Sequence, residues 1–159
     1  CGWLAPKTGG CVLGEVAISG VTLPEGATNY EDKVALLDVE LAQRQLQPGG
    51  QLALNLRWQG LSDMDEAYTL FIQVLDAQDR IVGQVDAWPL QGTYPTNQWE
   101  LGEIIEDPYQ VQLAGDLPPG PYQLHIGWYL LSTLQRLSVL NEDGQEVDDK
   151  LVIDGLVVP

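Results

Sequence analysis

The sequence predicts an all-β domain, an antiparallel β-sandwich of about eight or nine strands with an immunoglobulin-like or jelly-roll strand order. Three observations predict it. Short apolar runs recur along the whole chain. The 17 glycines and 10 prolines cluster between those runs and punctuate them as turns. Several runs alternate apolar and polar residues with period two, as a strand with one buried face must. The chain has 159 residues, 45% of them hydrophobic, which suits one domain with its own core.

Residues 1–11, CGWLAPKTGGC, lack periodicity and read as an N-terminal tether, leaving 12–159 as a single sandwich domain. Residues 12–22, VLGEVAISGVT, alternate loosely and predict a first strand; LPEGATNYEDK then reads as a connector. VALLDVELA (34–42) fits either period, and its short length favours a strand. After the QPGG turn, QLALNLRWQ (51–59) sets Leu52, Leu54, Leu56 and Trp58 on one face. YTLFIQVLD (68–76) is apolar on both faces, as a central strand is, and the AQDR turn joins it to IVGQVDAW (81–88) as an antiparallel hairpin.

A long loop, PLQGTYPTNQWELG (89–102), follows, with aromatic anchors rather than a Gly/Ser repeat. EIIEDPYQVQL (103–113) predicts a strand broken or started at Pro108, since proline cannot donate into a central ladder. LPPGPY reverses the chain into YQLHIGWYL (122–130), which turns Tyr122, Leu124, Ile126 and Trp128 inward. Tyr122 after LPPG has the placement of a tyrosine corner, whose hydroxyl bonds back to upstream backbone. STLQR reads as a turn, LSVL as a short strand, NEDGQEVDD as an acidic turn and LVIDGLVV as the last strand.

The order of these motifs resembles a β-sandwich module of exported bacterial proteins, common in Chloroflexi-like bacteria and often C-terminal to multi-pass membrane proteins of the glycosyltransferase type. The matching residues run from Pro48-Gly49 and Trp58 through Tyr68-Thr69, Phe71, Leu75-Asp76, Val82, Gln84, Asp86, Pro89 and Gly92. They continue through Tyr94-Pro95-Thr96, Trp99, Gly102-Glu103, Asp107 and Tyr109 to the LPPG turn, Tyr122, Leu124, Gly127 and Tyr129. The resemblance covers roughly residues 34–158, and Asp79 stands where the module has a turn glycine. It implies a sandwich at the cell surface or the extracytoplasmic face of a membrane. It carries over no catalytic residue and no cofactor.

Acidic residues outnumber basic ones 23 to 7, for a net charge of -16. Such a surface repels phosphate backbones and anionic headgroups, which excludes nucleic acid and polybasic membrane attachment. No apolar run reaches the roughly 18–20 residues that span a bilayer. Membrane contact is therefore expected only through an N-terminal lipid on Cys1, as at the mature start of a lipoprotein. The competing readings are a Cys1–Cys11 disulfide and a mere boundary of the chain.

Residue types that carry chemistry are sparse. His125 is the sole histidine, on the outer phase of its strand, with no second ligand or base in view. Acids are plentiful in the segments DMDEA, EIIED and NEDGQEVDD, but none has the EF-hand spacing, and a solvated acidic face is the simpler reading. No metal ligand set is assigned. The best ligand candidates are Trp88, Tyr94 and Trp99, whose rings could stack on sugars beside Asn97, Gln98 and Asp86. The same rings could instead pin the loop to the sandwich, which is the reading favoured here. The sequence thus points to a non-catalytic exported binding or assembly domain, a lipid-anchored accessory subunit of an envelope or membrane protein complex. A carbohydrate-binding module is the alternative, and a hydrolase with paired carboxylates ranks last.

Overall fold

A computed structural model describes residues 21–159. Among them, eleven strands form two antiparallel sheets. The first six are β1 (Thr28–Tyr30), β2 (Val34–Leu41), β3 (Gln51–Gly60), β4 (Thr69–Leu75), β5 (Ile81–Ala87) and β6 (Ile104–Gln112). Then come β7 (Gly120–Leu130), β8 (Gln135–Arg136), β9 (Val139–Leu140), β10 (Glu146–Asp148) and β11 (Leu151–Val158). One sheet has the order β10-β9-β1-β2-β3-β6; the other has β11-β7-β4-β5, with β8 added alongside β7. The core of this pairing, β2-β3-β6 against β11-β7-β4-β5, is the immunoglobulin-type order rather than the jelly roll.

The period-two runs bury the faces expected of them. Leu52, Leu54, Leu56 and Trp58 of β3 face Leu124, Ile126 and Trp128 of β7 across the sandwich, all of them buried. The rings of Trp58 and Trp128 meet edge to face with centroids 4.7 Å apart. Tyr30 is fully buried beside them, and its hydroxyl donates across the core to the Ile126 carbonyl at 2.8 Å. The Tyr122 hydroxyl donates to the Pro118 carbonyl at 2.7 Å, which makes the tyrosine corner. The hairpin of β4 and β5 forms as expected, with Asp79 in the left-handed region at φ 63°.

Three expectations change. The strands among the described residues number eleven because β1, β8, β9 and β10 are only two or three residues long, too short to show a period. Pro108 neither breaks nor starts a strand: β6 runs through it from Ile104 to Gln112. It can do so because, among the described residues, β6 pairs with β3 alone and forms the sheet edge, where half the amides need no partner. The predicted strand at 12–22 falls mainly outside the described residues, and Val21 and Thr22 lie in no strand. Cys1, Cys11 and the tether of residues 1–11 also lie outside the described residues.

Candidate functional site

The loop between β5 and β6 held the candidate ligand residues. It leaves β5 through a left-handed turn, with Leu90 at φ 54° and Gln91 at φ 58°, and passes a single 3-10 turn at Thr96–Gln98. Its side chains are bonded inward one after another. Thr96 is fully buried; its hydroxyl donates to the Glu66 carbonyl at 2.7 Å and accepts from the Tyr68 amide at 3.0 Å. The Tyr94 hydroxyl donates to Glu103 Oε1 at 2.7 Å, and that hydrogen bond, with burial, pushes the phenol up to about 12. The Glu100 amide donates to the same Glu103 oxygen at 3.0 Å.

Asp107 ties the loop to the core. It belongs to the inward phase of β6, with Ile105, Tyr109 and Val111, and is fully buried. One carboxylate oxygen accepts from the Leu90 amide at 2.8 Å and the other from the Trp58 indole at 3.2 Å. Burial raises its pKa, against the lowering effect of these hydrogen bonds. A carboxylate on the apolar phase of a strand was the sequence signal for this residue, and it was lost among the neighbouring acids.

The three candidate aromatics do not form a stacking platform. Trp99 is a core residue, 6% exposed, with its indole donating to the Tyr94 carbonyl at 3.0 Å and its ring 6.0 Å from that of Trp128. Tyr94 packs against Trp99 at 6.5 Å between centroids. Trp88 stands apart from both and is 42% exposed. Of the polar residues expected to assist, Asn97 and Gln98 are exposed, while Asp86 sits on β5 and accepts from Gln84 and Tyr129. His125 is buried on β7, 3.1 Å from Gln123 Oε1 through Nε2. Burial, helped by the Lys150 and Arg136 charges, holds its pKa below the ordinary value. No group of three or more His, Cys, Asp or Glu side chains is placed to hold a metal ion among the described residues.

A concavity of about 900 Å³ lies beside this loop. Residues 40–42 of β2 and its extension, 53–55 of β3 and 108–110 of β6 bound one side; Val85, Ala87 and Gln91 bound the other. Leu41, Leu54, Val85 and Ala87 make it mainly apolar, and Glu40 is its one carboxylate.

No family model matches the chain, and no curated protein matches it. Among solved structures, it is similar to a beta-glucosidase from Listeria innocua at 12% identity and a TM-score of 0.42, over 77% of this chain and 16% of that one. It is also similar to the alkylpurine DNA glycosylase AlkC of Pseudomonas fluorescens, bound to DNA containing an abasic site analog. There the identity is 8% and the TM-score 0.40, over 67% of this chain and 29% of that one. The chain thus matches less than a third of the length of either protein, and likeness at this level carries no argument about activity.

Proposed function

We propose that the chain is a non-catalytic binding and assembly domain of an exported bacterial protein, an accessory subunit docked on an envelope or membrane protein complex. The observation that carries this reading is the apolar concavity beside the β5–β6 loop. Its lining suits the apolar side chains of a protein partner, whereas glycoside hydrolysis needs two carboxylates facing each other and the lining supplies Glu40 alone. The inward bonding of Tyr94, Thr96 and Asp107 supports the same reading, because side chains so engaged are not free for chemistry. A glycan reading of the loop rests on Trp88, the one exposed ring of the three.

Isolation of the protein with its neighbours from native membranes tests the proposal. A defined complex should co-purify, and Ala87→Arg, which fills the concavity, should release it while the domain stays folded. A strictly monomeric protein with no co-purifying partner would sink the idea. Membrane attachment through Cys1 is tested by intact mass: a diacylglycerol plus an acyl chain is expected. A mass two hydrogens below the bare chain would mean the Cys1–Cys11 disulfide instead.

A further inference from the structure

The apolar concavity opens where the two sheets part. At one end β5 and the chain after β6 are joined, the Ala114 amide donating to the Val82 carbonyl at 2.8 Å. Further along, Val85 and Ala87 of β5 stand across the concavity from residues 108–110 of β6. Leu54 and Tyr109 belong to the hydrophobic core, and Leu41 and Val85 pack against it, so the lining is core surface left open. Covering such surface is favourable.

The free edge of β6 leads into this opening. The Leu113 amide donates to the Gly50 carbonyl and the Gly60 amide to the Glu103 carbonyl. With the register of the β3–β6 pair, odd-numbered residues of β6 therefore aim their backbone groups at β3. Ile104, Glu106 and Gln110 aim theirs away from it, where no strand pairs among the described residues. Pro108 has no amide to offer on that side, so a ladder added to the edge is interrupted at its level. That is the level at which the concavity begins.

The described chain starts at the head of the same edge. Val21 Cγ2 lies 3.6 Å from where a β-carbon on Gly102 would stand, and Gly102 precedes Ile104 by two residues. The residues before Val21, VLGEVAISG (12–20), have the make-up of a strand: Val12, Val16 and Ile18 are β-branched, proline is absent, and Glu15 is the one charge. Extended at about 3.3 Å per residue they span about 30 Å, the length of β6 itself. Counted back from Val21 beside Gly102, antiparallel to β6, residues 17–20 come level with 103–106 and residues 12–16 with 107–111.

We infer that residues 12–20 of this same chain cover the edge and the concavity in the free domain, residues 17–20 pairing beside Ile104 and Glu106, and Val12, Leu13 and Val16 entering the concavity. For its consequence the inference rests on the assembly reading: a partner docks there only when this segment withdraws. The segment is then a tethered competitor, present at an effective concentration on the order of millimolar.

The test uses the whole 159-residue chain with labelled leucine, valine and isoleucine methyls. Magnetisation transfer is expected from Leu13 or Val16 methyls to those of Leu54 or Val85. Val16→Asp, which changes no described residue, should abolish it and speed hydrogen exchange of the Ile104 and Glu106 amides by about tenfold or more. The complex isolated from native membranes should also be recovered in higher yield with Val16→Asp. Absence of the methyl contacts in the unaltered chain overturns the inference. So do contacts that pass only between labelled and unlabelled chains, which would make the occupant a second copy. The two readings fail separately. Methyl contacts with no complex from either protein leave the segment in the concavity and remove the assembly reading. A complex released by Ala87→Arg from a chain without those contacts does the reverse.

Discussion

The β5–β6 loop and the solvent face of the five-stranded sheet are both rich in polar and aromatic side chains, and they use them in opposite ways. In the loop, Tyr94, Thr96, Trp99 and the adjoining Asp107 bond to backbone or side chains of the same domain. On the sheet face, among the described residues, the Gln73 side chain makes no hydrogen bond and that of Gln84 makes one, to Asp86. Residues of the resembling module's pattern fall in both regions: Tyr94, Thr96 and Trp99 in the loop, and Phe71, Gln84, Asp86, Gly127 and Tyr129 on the sheet face. The difference teaches that a spaced motif can encode a conformation. A long irregular loop must satisfy its polar groups and anchor its ends, and residues chosen for that leave little bonding capacity for a ligand.

The comparison breaks most easily at Trp99. Trp99→Ala should lower the unfolding free energy by about 4 kcal/mol, because a buried indole packed on Trp128 is lost. Trp88→Ala should change it by less than about 0.5 kcal/mol, as for an exposed residue. Urea denaturation measures both, and equal costs would erase the distinction between pin and open ring. Asp107→Ala comes next. It orphans the Leu90 amide and the Trp58 indole and should cost about 3 kcal/mol. Gln73→Ala, which orphans nothing, should cost less than about 0.5 kcal/mol. A Gln73→Ala cost near that of Asp107→Ala would show the glutamine to be structural.

Much of this fold was legible because one-sided burial writes a period of two into the chain. The runs at 51–59 and 122–130 placed Trp58, Leu124 and Trp128 correctly in the core, and LPPG before Tyr122 foretold its corner. What was not legible depends on partners distant in sequence. Pro108 looks disruptive until β6 is known to be an edge. Trp99 looks available until its ring is found against Trp128, which lies on another strand. The row of Gln73, Gln84 and His125 exists only through the registers of three strands, and no spacing within one strand announces it. Asp107 was within reach: its alternation with Ile105, Tyr109 and Val111 put a carboxylate on an apolar face.

A smaller effect is expected at the turns that border the sheet face. Asp79 has φ 63° where the resembling module carries glycine, and Leu134, in the β7–β8 turn, has φ 61° and is 70% exposed. A left-handed conformation costs a residue with a β-carbon about 1 kcal/mol, partly offset by the greater freedom of glycine in the unfolded chain. Asp79→Gly and Leu134→Gly should therefore each raise stability by several tenths of a kcal/mol, read as a higher denaturation midpoint with an unchanged slope. A loss in either case would mean that the side chain makes a contact worth more than the strain.

The smallest effect concerns His125 and sharpens the description of its face. Burial is the main cause of its lowered pKa; Lys150 and Arg136 add to it, while Asp79 and Asp148 oppose it. In the unfolded chain the imidazole titrates near its ordinary value of 6.5. The folded domain takes up the proton only at lower pH, so between the two values the unfolded state binds more protons and stability falls with acidification. Above about 6.5 the contribution is fully present; it is lost as the pH drops toward the folded value. His125→Gln removes the titration, so its stability should decline less than that of the unaltered domain over this window. Denaturant midpoints measured in steps of pH for both proteins would show it. Identical profiles would mean that the imidazole is as well solvated in the fold as outside it, and that the sheet face around Gln73 is wetter than its packing implies.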